Sequence, residues 1–341
     1  METGRKNNRL GRREFIGTSL AAATALVFQP LNLNATPLPG KSRLNSRFGG
    51  VRIGAITYSW RSMPGGVENI IKYCTEARIS SIELMSNDLE LYLGAPQNPS
   101  AGQAARRQTG MSEEERAKQA KEREAATAKY NEDLKNWRIS LAPEKVKQAK
   151  KLFDQAGIKV HIVKFSPYRW SDEEIDYAFR TAKIMGAIGV TDEIGEEAVK
   201  RLAPFAEKHK MAAIFHNHMQ FATPGFSYDT FLSISPAVRM NFDAGHFFGS
   251  TGIHPNEIIR KYHDRIATVH MKDKTGPKSK PANTNVEWGK GETPIADILL
   301  LLKKEKWPIN VDIELEYPVP EGSDAVKEVK KCVEFCRKIL T

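Results

Sequence analysis

The chain has 341 residues, of which 40% are hydrophobic and 27% charged, with 24 glycines and three cysteines. That ordinary apolar share excludes intrinsic disorder, a collagen-like repeat and a disulfide-stapled scaffold. The formal net charge of +10 is spread through mixed-sign helices without an aromatic-interleaved basic stripe, so no nucleic-acid partner is expected.

Residues 1–36 read as a leader, with Arg5, Lys6, Arg9, Arg12 and Arg13 against Glu2 and Glu14. The Arg12-Arg13 pair, the apolar run from Thr18 to Phe28 and the small-residue stretch ending at Thr36 resemble a twin-arginine signal for export of folded proteins. The run is too short to span a bilayer, and no other reaches that length. The expected mature protein is therefore periplasmic or otherwise exported, with no stable membrane insertion once the leader is cut. Leu33 departs from the small-residue cleavage pattern, so a retained anchor stands as the alternative. Residues 37–50 read as a linker.

From residue 51 to 341 the chain alternates β-branched or apolar runs with amphipathic stretches, the pattern of parallel strands joined by helices. The predicted strands are Arg52–Thr57, Ser80–Leu84, Ile158–Val163, Ala187–Thr191, Ala212–His216, Val238–Phe242, Ile266–His270 and Asn310–Glu314. Predicted helices follow them at Gly66–Ala77, Pro143–Gln155, Asp172–Met185, Glu196–His209, Tyr228–Ser233, Pro255–Tyr262, Pro294–Lys306 and Asp324–Leu340. Eight such units, with no glycine-rich dinucleotide loop after the first strand, point to an α/β fold of the (β/α)8 TIM barrel type. A charged helical insertion over about 94–140 interrupts the rhythm after strand two. Ser112 and Glu115 give its helix a capping box. Cys74, Cys332 and Cys336 are too few for a disulfide framework and read as core or helix-face residues.

Barrel chemistry gathers where strands end. Those ends carry Glu83, Asp192-Glu193, His216-Asn217-His218, Asp243 with His246, His270 with Lys272, and Asp312, Glu314 and Glu316. Alternation puts His216 with His218, His270 with Lys272, and Asp312 with Glu314 and Glu316 on common faces, expected to point into the barrel mouth. So many ionisable groups are costly there unless paired or bound to metal, and a mixed histidine and carboxylate set suits Mn²⁺, Co²⁺, Zn²⁺ or Fe²⁺. Lys272 stands either as an oxyanion stabiliser or as a partner of Asp273. Trp60 and Trp170 are placed in loops where an aromatic face could pack on a sugar.

The Val269-His270-Met271-Lys272-Asp273 run, the Asp243-Ala244-Gly245-His246 turn and the Trp288-Gly289-Lys290-Gly291-Glu292 loop resemble the sugar isomerase and epimerase family of xylose isomerase-like barrels, over residues 51–340. The resemblance implies a divalent metal on His216, Asp243, His270 and Glu314, and His216 stands where that family has glutamate. Glu193 is the candidate replacement as ligand or displaced base, and His218 the alternative ligand on strand five. Glu193, Glu314 and Lys272 are the expected catalytic residues, with His218, His246, Asn217, Trp170 and Glu316 against the substrate. The expected activity is proton abstraction next to a keto group through an enediolate, on a keto-sugar or 3-keto-glycoside, ending in elimination, isomerisation or epimerisation. A non-catalytic sugar binder and an endonuclease-like phosphoesterase are the alternatives, and a homo-oligomer is a possible assembly.

Overall fold

The computed structural model describes residues 44–98 and 112–341. The expected leader, the linker up to residue 43 and residues 99–111 of the expected insertion lie outside the described residues.

Eight parallel strands form the barrel: β1 Val51–Ile56, β2 Ser81–Met85, β3 Lys159–Lys164, β4 Gly189–Glu193, β5 Ala212–His216, β6 Val238–Asp243, β7 Ile266–Met271 and β8 Asn310–Ile313. Each pairs with the next in the chain, and β8 returns to β1 with Asn310 opposite Arg52 and Ile313 opposite Ala55. The sheet is therefore closed and has no barrel edge. Its strands are apolar nearly throughout because one face packs on helices and the other fills the barrel. Residues 47–50 of the expected linker belong to a small hairpin instead. Arg47 pairs with Arg52 and Phe48 with Val51, across Gly49 and Gly50 with φ of 53° and 91°, a turn that two glycines enter without a Cβ clash.

The helices are α1 Val67–Ala77, α2 Ser86–Leu93, α3 Glu113–Ser140, α4 Pro143–Ala156, α5 Asp172–Met185, α6 Glu196–His209, α7 Tyr228–Leu232, α8 Ala244–Thr251, α9 Asn256–Tyr262, α10 Ile295–Glu305 and α11 Ala325–Leu340. The sequence pattern missed α2 and α8, whose eight residues each are too short to establish a helical period. The Ser112 and Glu115 capping box is present at the start of α3. The main core lies between helices and strands, with Phe153, Phe179, Leu202, Ile298 and Cys336 buried in it. Cys74 and Cys332 are buried there as free thiols. No helix among the described residues is long and apolar enough to cross a membrane.

Two expectations change. Asp312 does not face the mouth, because it sits two residues earlier on β8 than Glu314 and so one layer deeper. It is wholly buried, with His161 Nε2 at 2.8 Å and the Thr268 hydroxyl donating at 2.5 Å. Gly54 leaves room for it, since a methyl added there would run into Asp312 Oδ1 and lie 2.8 Å from the Ser81 carbonyl. Trp60 is likewise not a loop residue. It closes a 3-10 turn over Thr57–Trp60 and packs, buried, against Tyr73 at 5.9 Å between ring centroids.

Candidate functional site

Strand register assembles the site. Glu193 lies opposite His216, His216 opposite Asn241, and Asp243 opposite His270, so neighbouring strand ends present their side chains at one level. His216, Asp243, His270 and Glu314 are all buried and bring one donor atom each within 4.8 Å of one another.

Each of the two histidines is held between an outer and an inner carboxylate. His216 Nδ1 is 3.2 Å from Glu193 Oε2, and its Nε2 is 3.3 Å from Asp243 Oδ2 and 3.9 Å from Glu314 Oε2. His270 Nε2 is 2.9 Å from Glu83 Oε2, and its Nδ1 is 2.9 Å from Glu314 Oε2. Asn241 Nδ2 donates to the same Glu83 oxygen at 2.9 Å. Against burial, the paired carboxylates raise both rings' pKa and favour imidazolium rings donating on both sides; loss of the proton facing Asp243 or Glu314 would free a lone pair for a metal, with Glu193 and Glu83 orienting the rings as partners of metal-binding imidazoles do. The donor set therefore fits a divalent ion, with two nitrogens and two carboxylates converging.

Lys272 is 2% exposed, and its Nζ lies 2.8 Å from Asp243 Oδ2, 2.8 Å from Glu314 Oε2 and 2.6 Å from Glu316 Oε2. It is not paired with Asp273, because adjacent residues point to opposite sides of the chain. Asp273 instead accepts the backbone N–H groups of Gly289 at 2.8 Å, Gly291 at 3.0 Å and Thr293 at 3.2 Å, which fastens the Trp288–Glu292 loop. Burial works to raise the carboxyls of Asp243 and Glu314, but the Lys272 ammonium together with the neighbouring histidines outweighs it and holds both well below the usual range.

Glu193 is half-buried at the rim. Burial raises its carboxyl, yet the His216 ring and the Lys164 ammonium, whose Nζ donates at 2.6 Å, keep it ionised well into acid. His218 is half exposed with Nδ1 3.8 Å from Glu193 Oε2, and burial together with the His216 charge lowers its pKa. It joins Glu193 and His216 in a second grouping at the rim, not the buried set. His246 Nε2 is 3.6 Å from Glu316 Oε2 and 3.9 Å from Asp243 Oδ2. Burial, helped by Lys272 and Lys274 against the pull of Asp243, pushes its imidazole down to about 4.

Asn217 and Trp170 are placed differently from the other expected residues. Asn217 Oδ1 accepts from the Asp243 N–H at 3.0 Å, and its Nδ2 donates to the carbonyls of Asp243 and His218, both at 3.2 Å. It fixes the β5 and β6 ends relative to each other. Trp170 carries the Arg138 guanidinium 3.6 Å above its ring and lines a cleft of about 650 Å³ beside α3, with none of the clustered histidines and carboxylates around it. Lys164 went unremarked in the sequence, although it too is the last residue of a strand.

A family model described as xylose isomerase-like TIM barrel matches residues 191–339, the part of the chain that supplies the four buried donors. No curated protein matches the chain. Among solved structures, a probable 3-DHS dehydratase, AsbF, from Bacillus anthracis superposes with a TM-score of 0.55 at 13% identity, over 83% of this chain and 98% of that one. A xylose isomerase domain protein from Alicyclobacillus acidocaldarius gives 0.55 at 12% identity over 84% and 99%. A sugar phosphate isomerase/epimerase from Parabacteroides distasonis gives 0.52 at 14% identity over 86% and 98%. At these identities the likeness establishes the fold, an eight-stranded xylose isomerase-like barrel.

Proposed function

We propose that the barrel mouth holds one divalent metal ion on His216, Asp243, His270 and Glu314, and that the protein is a carbohydrate enzyme working by proton abstraction beside a keto group. The observation that carries this reading is the double carboxylate embrace of each histidine, by Glu193 and Asp243 around His216 and by Glu83 and Glu314 around His270. A salt-bridged rim requires partners, whereas this set also requires that two ring nitrogens and two carboxylates converge. When bound, the ion supplies Lewis acidity toward a carbonyl and its neighbouring hydroxyl.

The residues divide the remaining work. Glu314 and Asp243 are immobilised by Lys272 and serve as ligands, and the same ammonium offsets their charge. His218 is an open, neutral imidazole at the rim and takes the substrate proton, with Glu193 holding its Nδ1 side. His246 and Glu316 face the sugar hydroxyls. Delivery of a proton to the opposite face of the same carbon gives an epimer, its return to the adjacent carbon an isomer, and loss of a β-placed oxygen substituent gives elimination. Export, expected from residues 1–36, would direct the enzyme to free keto-sugars or keto-glycosides.

The test is elemental analysis of the purified protein after reconstitution with Mn²⁺, Co²⁺ or Zn²⁺, followed by incubation with a 3-keto-glucoside in heavy water. One ion per chain is expected, with uptake lost in His216→Ala and His270→Ala and affinity lowered about 10–100-fold in Glu83→Gln and Glu193→Gln. Aglycone release identifies elimination, and deuterium at an α-carbon without release identifies isomerisation or epimerisation. Failure to take up any of the three ions refutes the metal centre.

A further inference from the structure

The excursion after β7 carries Lys274 on a two-residue strand, Asp273–Lys274, paired antiparallel with Asn285–Val286. Lys274 is 4% exposed, yet among the described residues its ammonium reaches no carboxylate. Its one polar contact is His246 Nδ1 at 3.5 Å. The neighbouring carboxylates are already engaged: Lys272 draws Asp243, Glu314 and Glu316 to within 2.8 Å, and Lys164 holds Glu193. A buried ammonium with no carboxylate in contact loses hydration that the more distant Asp243, Glu316 and Glu314 replace only in part, so a partner from outside the chain would complete it.

The surroundings make room for the lysine and are polar. Gly249 carries no side chain where a Cβ would lie 2.9 Å from Lys274 Cε and would run into Asn283 Oδ1. Asn283 Oδ1 and Asn285 Oδ1 are both buried without a hydrogen-bond partner. The Lys274 ammonium is separated from the candidate metal ligands by one imidazole, His246, whose Nε2 faces Asp243 and Glu316. His218 stacks edge-on to that ring at 5.0 Å and reaches solvent. Burial, and then the nearby Lys272 charge, lower the Lys274 pKa against the pull of Asp243, Glu316 and Glu314.

We infer that Lys274 is the anchor of an anion subsite beside the mouth and His246, and that the substrate is a sugar acid carrying a single carboxylate, with the unpartnered Asn283 and Asn285 amide oxygens accepting from its hydroxyls. A dianionic phosphate fits worse, because one ammonium cannot balance it and Glu316 and Asp243 would repel the second charge. This inference rests on the reading of the mouth as a carbohydrate site, and it names the substrate class.

The experiment is titration calorimetry of the purified, Mn²⁺-reconstituted protein with D-glucuronate, its methyl ester, D-glucose 6-phosphate and D-glucose. Glucuronate is expected to bind at least tenfold more tightly than the ester, the phosphate and glucose. Lys274→Met, which keeps length and removes charge, should abolish the preference while leaving ester affinity and manganese uptake unchanged, and Lys274→Arg should restore part of it. The comparison of acid with ester on the wild-type protein needs no variant and stands even if Lys274→Met misfolds. Equal affinities for acid and ester, tighter binding of the phosphate, an equal loss for both ligands in Lys274→Met, or no binding of any of the four would overturn the inference. Manganese uptake is read separately in each sample, so failure of the metal centre is distinguished from failure of the anion subsite.

Discussion

Asp192 is the penultimate residue of β4, just before Glu193, and its carboxylate accepts the backbone N–H groups of Tyr168 at 2.9 Å and Glu193 at 2.7 Å. Those bonds favour the ionised form, but burial outweighs them and pushes the carboxyl up to about 6 from 3.8. The folded chain therefore holds this proton over a range in which the unfolded chain has released it. Its contribution favours folding in acid and is lost as pH rises from about 4 to about 6. Melting curves should show wild-type protein losing stability across that window relative to Asp192→Asn, by on the order of 2 kcal/mol. Residues of this kind also mark the limit of what the sequence could show. The strand pattern placed His216, Asp243, His270 and Glu314 among many ionisable residues at neighbouring strand ends, and the family resemblance singled out these four as a set. The pattern could not show that Lys272 would engage carboxylates from β6 and β8, nor that Glu83 would reach His270 across the barrel interior, because both depend on register between strands distant in sequence.

Arg138 does at the level of elements what an apolar stripe usually does for a helix. Most of α3 is charged on every side and exposed, so little hydrophobic burial holds it to the barrel. Near its C-terminal end Arg138 is buried, donating through Nε to Glu90 Oε1 at 2.8 Å and through Nη2 to Glu90 Oε2 at 3.2 Å, and through Nη1 to Glu174 Oε1 at 3.1 Å. One guanidinium thus joins α3 to α2 and α5 and lies on Trp170. This arrangement explains why an aromatic expected to face sugar is occupied elsewhere: a tryptophan after a strand end looks the same in sequence whether it packs on a ligand or on an arginine 32 positions earlier. Arg138→Met would leave two buried carboxylates unpaired. The urea midpoint should fall by the equivalent of about 3–5 kcal/mol, with manganese affinity unchanged.

The whole barrel depends on the seam where β8 meets β1. Gly54 sits opposite Asp312 in that seam, and a side chain there meets both Asp312 and the Ser81 backbone. Gly54→Ala should therefore cost about 1–3 kcal/mol or more in chemical denaturation, although alanine is a modest change in most strands. Eight strand units were legible from periodicity because each strand is apolar and each helix amphipathic. The seam's tolerance was not, since it depends on atoms from β1, β2 and β8 meeting in space.

His270 takes one carboxylate from 187 positions earlier in the chain and another from 44 positions later. No partial chain owns both. Capture of the proposed ion, with Glu83 orienting its His270 ligand, would therefore be a late event in the life of each molecule: it would wait for the ring to shut, and its time course would report when that happens.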